Sequence, residues 1–133
     1  MKLDSLSFLV IDDEVGIRTL LVRFLERLGA GSTATASNGV EALGHLDAAK
    51  PQPDVLLVDL SMPDMGGVDL MRQLADRAYA GTIVLVSGAD PETLTVAEAM
   101  AKIRGVTVLG SLMKPVRLNA LAAVLGKLTP PTE

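Results

Sequence analysis

The 133-residue chain has no cysteine, no tryptophan and one histidine. Without cysteine there are no disulfide staples, no thiolate nucleophile and no zinc–thiolate site. The single histidine, His45, has no second imidazole or thiolate with which to form a metal-ligand set. Basic excess is also missing: the formal net charge is −4, which argues against the clustered positive surface that nucleic acid requires. No apolar run approaches the roughly 18 residues needed to span a bilayer. The opening MKLDSLSFLVIDDE carries Asp4 before a short apolar stretch that ends in acids, unlike a signal peptide. A cytoplasmic domain is expected. Aromatics are limited to Phe8, Phe24 and Tyr79, so with 49% hydrophobic residues the core must be aliphatic. The length suits one domain, expected over 1–133 with its core at about 6–128 and a frayed TPPTE tail.

What is present alternates. Apolar runs of strand length occur at Leu6–Ile11, Val55–Val58, Thr82–Val86 and Val106–Leu109, with a weaker Thr/Ala-rich run at Ser32–Ala36. Helical periodicity fills the intervals. Ile17, Leu20, Leu21, Phe24, Leu25 and Leu28 form one stripe, stopped by Gly29. Asn38, followed by Glu41, opens a second helix in capping-box style. A third is predicted from Gly67 to about Tyr79. Asp90 before Pro91 starts a fourth that reaches about Ile103, and Leu118 to Leu128 carry the fifth stripe. Five strands alternating with five helices predict an α/β domain with a parallel sheet covered on both faces.

Ligands of such sheets bind outside the carboxyl ends of the strands. Those ends carry Asp12 and Asp13, Asp59, Ser87, and Lys114 followed by Pro115. Three carboxylates in one cleft repel one another unless a cation sits among them, and hard oxygen donors with room for water suit Mg²⁺. A phosphoryl group would bridge to that ion, with Lys114 and the Ser87 hydroxyl on its other oxygens and one carboxylate as nucleophile. Asp59, ending a central strand beside a Pro- and Gly-rich loop, is the best candidate.

LVIDDE, LLVDLSMPDMGG, IVLVSGA and LMKPV, in this order and spacing, resemble the receiver domain of two-component response regulators. The resemblance covers about Leu6 to Leu128. It implies a flavodoxin-like fold, (βα)5, with strand order 2-1-3-4-5. It implies a phosphoacceptor at Asp59, charged by a sensor histidine kinase or phosphotransfer protein. Mg²⁺ would be held by Asp13, Asp59 and the backbone carbonyl of Ser61, with Asp12 acting through water. Lys114 would bind the phosphoryl group and precede a cis Pro115, and Ser87 would be the hydroxyl that moves. Output through the helix 4–strand 5–helix 5 face, homodimerisation on that face, and no turnover of a metabolite are also implied.

The chain departs from the family pattern in three places. Ser111 stands where receivers often carry an aromatic switch residue. Lys114 follows Ser87 by 27 positions, more than in compact receivers, with the extra length expected in helix 4 and the loop after it. The two positions linked to acyl-phosphate lifetime, Ser61 and Ala89, are both small. The stretch from SGADPETL to LMKPV is most similar to receivers fused to EAL-type cyclic di-GMP phosphodiesterases, so an excised receiver of such a protein is one alternative. An interaction module without phosphotransfer is another.

Simpler roles compete residue by residue. Asp12 or Asp13 could cap the first helix, Asp59 could open an Asx turn, and Ser87-Gly88 could be a plain turn. Other classes fit less well. An aspartyl-phosphate phosphatase of the haloacid-dehalogenase type would want a second Asp where Ser61 stands. The acidic DDEVG loop would repel a flavin phosphate. GAGSTA at 29–34 matches a dinucleotide pattern in letters only, since it follows a helix instead of a strand. Met62 and Met65 are expected to pack beside the loop, and Asp64 and Asp69 to be solvated or helix-start acids.

Overall fold

The unbroken apolar runs become the centre of a parallel sheet, because only strands covered on both faces bury every residue. The computed structural model describes residues 3–62, 65–88 and 90–128. The strands are β1 (Ser7–Ile11), β2 (Ser32–Ala36), β3 (Val55–Asp59), β4 (Thr82–Ser87) and β5 (Thr107–Met113). They alternate with helices α1 (Val15–Arg27), α2 (Gly39–Ala48), α3 (Gly67–Asp76), α4 (Pro91–Arg104) and α5 (Leu118–Leu125), after a 3-10 turn at Leu3–Ser5. Every strand pairing is parallel and the order is β2-β1-β3-β4-β5, the flavodoxin-like arrangement expected.

Side-chain alternation along the strands builds two cores. Leu9, Ile11, Leu56, Val58, Ile83 and Leu85 pack beneath α2, α3 and α4. Phe8, Val10, Leu57, Val84 and Val86 pack with Leu21 and Leu25 of α1 and Leu121 and Leu125 of α5. Truncating a fully buried leucine of either layer to alanine is worth roughly 2–5 kcal/mol.

Several local expectations hold for stated reasons. Asn38 accepts the Glu41 N–H at 2.7 Å at the start of α2. Asp90 accepts the Thr93 hydroxyl (2.6 Å) and the Glu92 N–H (3.0 Å), bonds that hold its carboxyl below the usual range. Gly29 and Gly105 take positive φ at the ends of α1 and α4, where a side chain would be strained. GAGSTA is accordingly a helix stop and turn leading into β2.

Other expectations change. Leu20 is 38% exposed, since its place on the stripe faces away from the sheet. α3 stops at Asp76, and Tyr79 lies in the following turn with its hydroxyl donating to the Pro53 carbonyl at 2.7 Å. β5 runs to Met113, well past Leu109: Gly110 and Ser111 interrupt the apolar run but not the ladder. Leu109 is an unpaired bulge residue between the pairs Ile83–Val108 and Val84–Gly110, so part of the long Ser87–Lys114 interval is absorbed inside β5. α5 ends at Leu125, earlier than the stripe suggests. The expectations for Asp64, Ala89 and the TPPTE tail fall outside the described residues.

Candidate functional site

The sheet ladder continues one residue beyond several strands and thereby holds the candidate residues rigidly. Asp12 N–H donates to the Ala36 carbonyl (3.1 Å), Leu60 N–H to Val86 (3.0 Å) and Lys114 N–H to Ser87 (2.9 Å). Asp12, Asp59 and Ser87, the buried polar residues of the described chain, are 0%, 1% and 2% exposed. The Lys114–Pro115 peptide is cis, as the resemblance implies.

The two buried carboxylates are wired alike. One oxygen of each is used by its own loop: Asp12 Oδ1 accepts the Glu14 N–H at 2.9 Å, and Asp59 Oδ1 accepts the Ser61 N–H at 3.0 Å. The other oxygen of each faces Lys114, whose Nζ lies 3.4 Å from Asp12 Oδ2 and 3.3 Å from Asp59 Oδ2. Asp12 Oδ2 nonetheless has no hydrogen-bond partner among the described residues, an expensive state for a buried carboxylate oxygen. The turn role proposed for Asp59 is therefore real, but it occupies half the carboxylate. Neither Asp12 nor Asp13 is the N-cap of α1; that residue is Glu14, without a side-chain cap bond.

Charge balance explains the perturbed protonation equilibria. Burial raises the Asp59 carboxyl above its ordinary range and Asp12 adds repulsion, against the opposing pull of the Ser61 N–H and Lys114. Burial draws the Lys114 ammonium down, but Asp59 and then Asp12 outweigh it, and the net shift is upward. Two buried acids thus share one cation.

Carboxylate oxygens of Asp12, Asp13 and Glu14 lie within 4.8 Å of one another. Asp59 joins them through Lys114, whose Nζ also lies 3.8 Å from Glu14 Oε1. The expected direct partnership of Asp13 with Asp59 is not among these groupings. Glu14 was not singled out from the sequence, although the acidic run Asp12-Asp13-Glu14 was the available signal. The donors fit Mg²⁺: all are hard oxygens, one is buried and unsatisfied, and the exposed acids leave access for water.

Ser87 pairs with Met113 in register, and Leu85 with Ser111, so the position that lacks the aromatic lies one strand away on the same face. Ser61 sits at the rim, its Oγ within van der Waals reach of a side chain imagined at Gly88. Gly67 permits the loop after β3 to fold back, since a Cβ there would collide with Leu60. Met62 is buried and Met65 packs on Gly39, the local role expected of them. Asp69 pairs with Arg72 at 3.0 Å on the surface of α3. His45 is half-buried on α2, away from this rim. No described helix is long and apolar enough to cross a membrane.

Comparison with known proteins gives one family. The model of the response regulator receiver domain matches residues 8–125. The positive alginate biosynthesis regulatory protein of Pseudomonas aeruginosa is 33% identical over 128 residues, covering 95% of this chain and 48% of the relative. The cyclic di-GMP phosphodiesterase RocR of the same organism is 29% identical over 123 residues, covering 92% and 31%, which accords with the likeness read from the helix 4–strand 5 stretch. The chain spans half or less of the length of these two relatives. A response regulator receiver protein from Pseudomonas putida superposes with a TM-score of 0.77 at 30% identity, over 92% of this chain and 96% of that one. The chain belongs to the response regulator receiver domain family.

Proposed function

We propose that Asp59 accepts a phosphoryl group from a phosphohistidine of a sensor kinase or phosphotransfer protein, and that the resulting charge change alters which proteins this domain binds. The observation that carries the reading is the shared cation: Asp12 and Asp59, both buried, face one Lys114 ammonium, and Asp12 Oδ2 is left unsatisfied. A carboxylate oxygen of Asp59 attacks phosphorus, the P–N bond to the donor imidazole breaks, and its electron pair stays on the imidazole nitrogen. Lys114, already 3.3 Å from Asp59 Oδ2, turns to the phosphoryl oxygens as they arrive. Ser87 offers its hydroxyl to the same oxygens, and because the Ser87 carbonyl accepts the Lys114 N–H, movement at β4 is passed to β5.

Mg²⁺, held by Asp13, Asp59 and the Ser61 carbonyl with Asp12 through water, would neutralise charge on the transferring group. Glu14 joins that acidic set through Asp12 and Asp13. The domain acts as a signal acceptor and not as a turnover enzyme, works in the cytoplasm, and signals through the α4–β5–α5 face, which also serves any homodimer.

The test is intact-protein mass spectrometry after incubation with acetyl phosphate, with and without Mg²⁺. The expected result is a Mg²⁺-dependent gain of one phosphoryl group that Asp59→Asn abolishes. No gain with acetyl phosphate or with a phosphorylated histidine donor would favour an interaction module without phosphotransfer, the reading that Ser111 at the switch position supports.

A further inference from the structure

The net charge of −4 conceals a strong asymmetry. Residues 1–98 carry seven Lys/Arg against fifteen Asp/Glu, whereas residues 99–133 carry five against one. The five are Lys102, Arg104, Lys114, Arg117 and Lys127. Lys114 is turned into the acidic site, but the other four lie around the edge strand β5. Lys102 and Arg104 close α4 just before β5 begins, and Arg117 precedes α5 just after it ends. The Lys127 ammonium lies over β5, within 3.5 Å of where a side chain on Gly110 would start. Lys102, Arg117 and Lys127 form no ion pair among the described residues. Arg104 has only a loose exposed pair with Asp76 at 3.7 Å. Of the acids of α4, Glu92 lies in its first turn and Glu98 near its middle, one turn before Lys102.

Apolar side chains stand within this basic field. Ile103 is 80% exposed between Lys102 and Arg104, and Val96, two turns earlier, is 51% exposed. Met113, beside Lys114 on β5, is 57% exposed. An exposed aliphatic group between cations, as at Ile103, matches neither bare solvent nor a phosphodiester backbone, which calls for cations alone.

We infer that the surface of α4, β5 and α5 binds an acidic protein segment carrying at least one apolar anchor. The inference rests on the output-face reading above and adds the chemistry of the partner. Ile103 supplies the apolar seat, Lys102 and Arg104 beside it orient the acids, and Lys127 offers a further cation over β5. The predominantly negative remainder of the chain repels acidic segments elsewhere, so the charge asymmetry also selects the face.

The probe is a fluorescein-labelled helical peptide of roughly 16 residues, with leucines on one face and glutamates flanking them. Its lysine counterpart and a labelled DNA duplex serve as competing ligands. Fluorescence anisotropy is measured with the full chain, before and after treatment with acetyl phosphate and Mg²⁺. The glutamate peptide is expected to bind, with affinity falling about tenfold in the Lys102→Glu/Lys127→Glu double variant, falling also in Ile103→Ser, and weakening with salt. Equal binding of the lysine peptide, insensitivity to these exposed substitutions, or tighter binding of DNA would overturn the inference. So would self-association that the double variant abolishes, because the occupant would then be a second copy. Mass gain from acetyl phosphate is recorded on every sample. A chain that takes the phosphoryl group but ignores the peptide defeats this inference alone, and one that binds the peptide but takes the group neither from acetyl phosphate nor from a phosphorylated histidine donor defeats the Asp59 reading alone.

Discussion

The two ends of the sheet are built from the same kinds of residue and finished in opposite ways. At the amino end, Asp54 is exposed, and its carboxylate accepts the Ser7 N–H at 2.8 Å and the Ser7 hydroxyl at 3.1 Å. Its N–H donates to the Ser7 carbonyl at 2.9 Å, and its carbonyl accepts from Thr82 at 3.0 Å. Tyr79 closes over this end, bonded to Pro53, and Gly81 is required beneath it because a side chain there would collide with the Tyr79 hydroxyl and the Asp54 carbonyl. At the carboxyl end, Asp12 and Asp59 are buried, share one lysine, and leave an oxygen unbonded. One end is satisfied by its own chain; the other is held in a geometry that a cation and a phosphoryl group would complete. Buried polar groups are satisfied at the amino end and left open at the rim where the proposed phosphoacceptor stands.

The difference can be broken most severely at Lys114. Lys114→Ala leaves two buried carboxylates without their shared cation and is expected to cost about 3 kcal/mol of stability without divalent metal, near the low end for a buried pair. The low end applies because Lys114 is still 20% exposed. Urea denaturation with and without Mg²⁺ checks this, and much of the loss should return when the ion is present. An unchanged midpoint would mean the rim is not electrostatically loaded.

Asp12→Asn should act in the opposite direction. Removing one of two buried carboxylates that repel each other across a single shared cation is expected to stabilise the metal-free protein by about 1 kcal/mol, while shrinking the rise in thermal midpoint that Mg²⁺ produces. If Asp12→Asn destabilised the metal-free chain, the two ends would be alike after all.

The smallest effect belongs to the amino end. Tyr79→Phe removes one buried hydrogen bond and should cost about 1 kcal/mol or slightly less, equally with and without Mg²⁺. Its pH signature is specific. Burial, and secondarily Asp54, raise the Tyr79 phenol far above its ordinary value. The unfolded state therefore releases that proton first, so the contribution is intact below about pH 10 and is lost as pH rises above it. Stability–pH curves of wild type and Tyr79→Phe should converge in that alkaline range, and parallel curves would show that the phenol carries no linkage.

Much of this was legible in the sequence. The central strands announce themselves because double-sided burial demands continuous apolar runs, and Asn38 and Asp90 mark helix starts because their side chains accept bonds that the first turn cannot make internally. The rim residues were legible because chain direction alone puts them at carboxyl ends. What escaped was set by neighbours distant in sequence. β5 continues through Gly110 and Ser111 because β4 supplies a ladder partner, which composition does not reveal. Glu14 enters the site because the Asp12 carboxylate holds its N–H, bringing the loop onto Lys114.

By itself the sequence determined the α/β alternation, the absence of thiol chemistry, and the gathering of Asp12, Asp13, Asp59, Ser87 and Lys114 at one rim, since each follows from residue type and the order of strands and helices. Only the tertiary structure decided that Asp12 and Asp59 share one ammonium, that one buried oxygen goes unbonded, and that Lys127 lies over Gly110. Those depend on which side chains from separate crossovers arrive within a few ångströms of one another, and such distances are settled by packing.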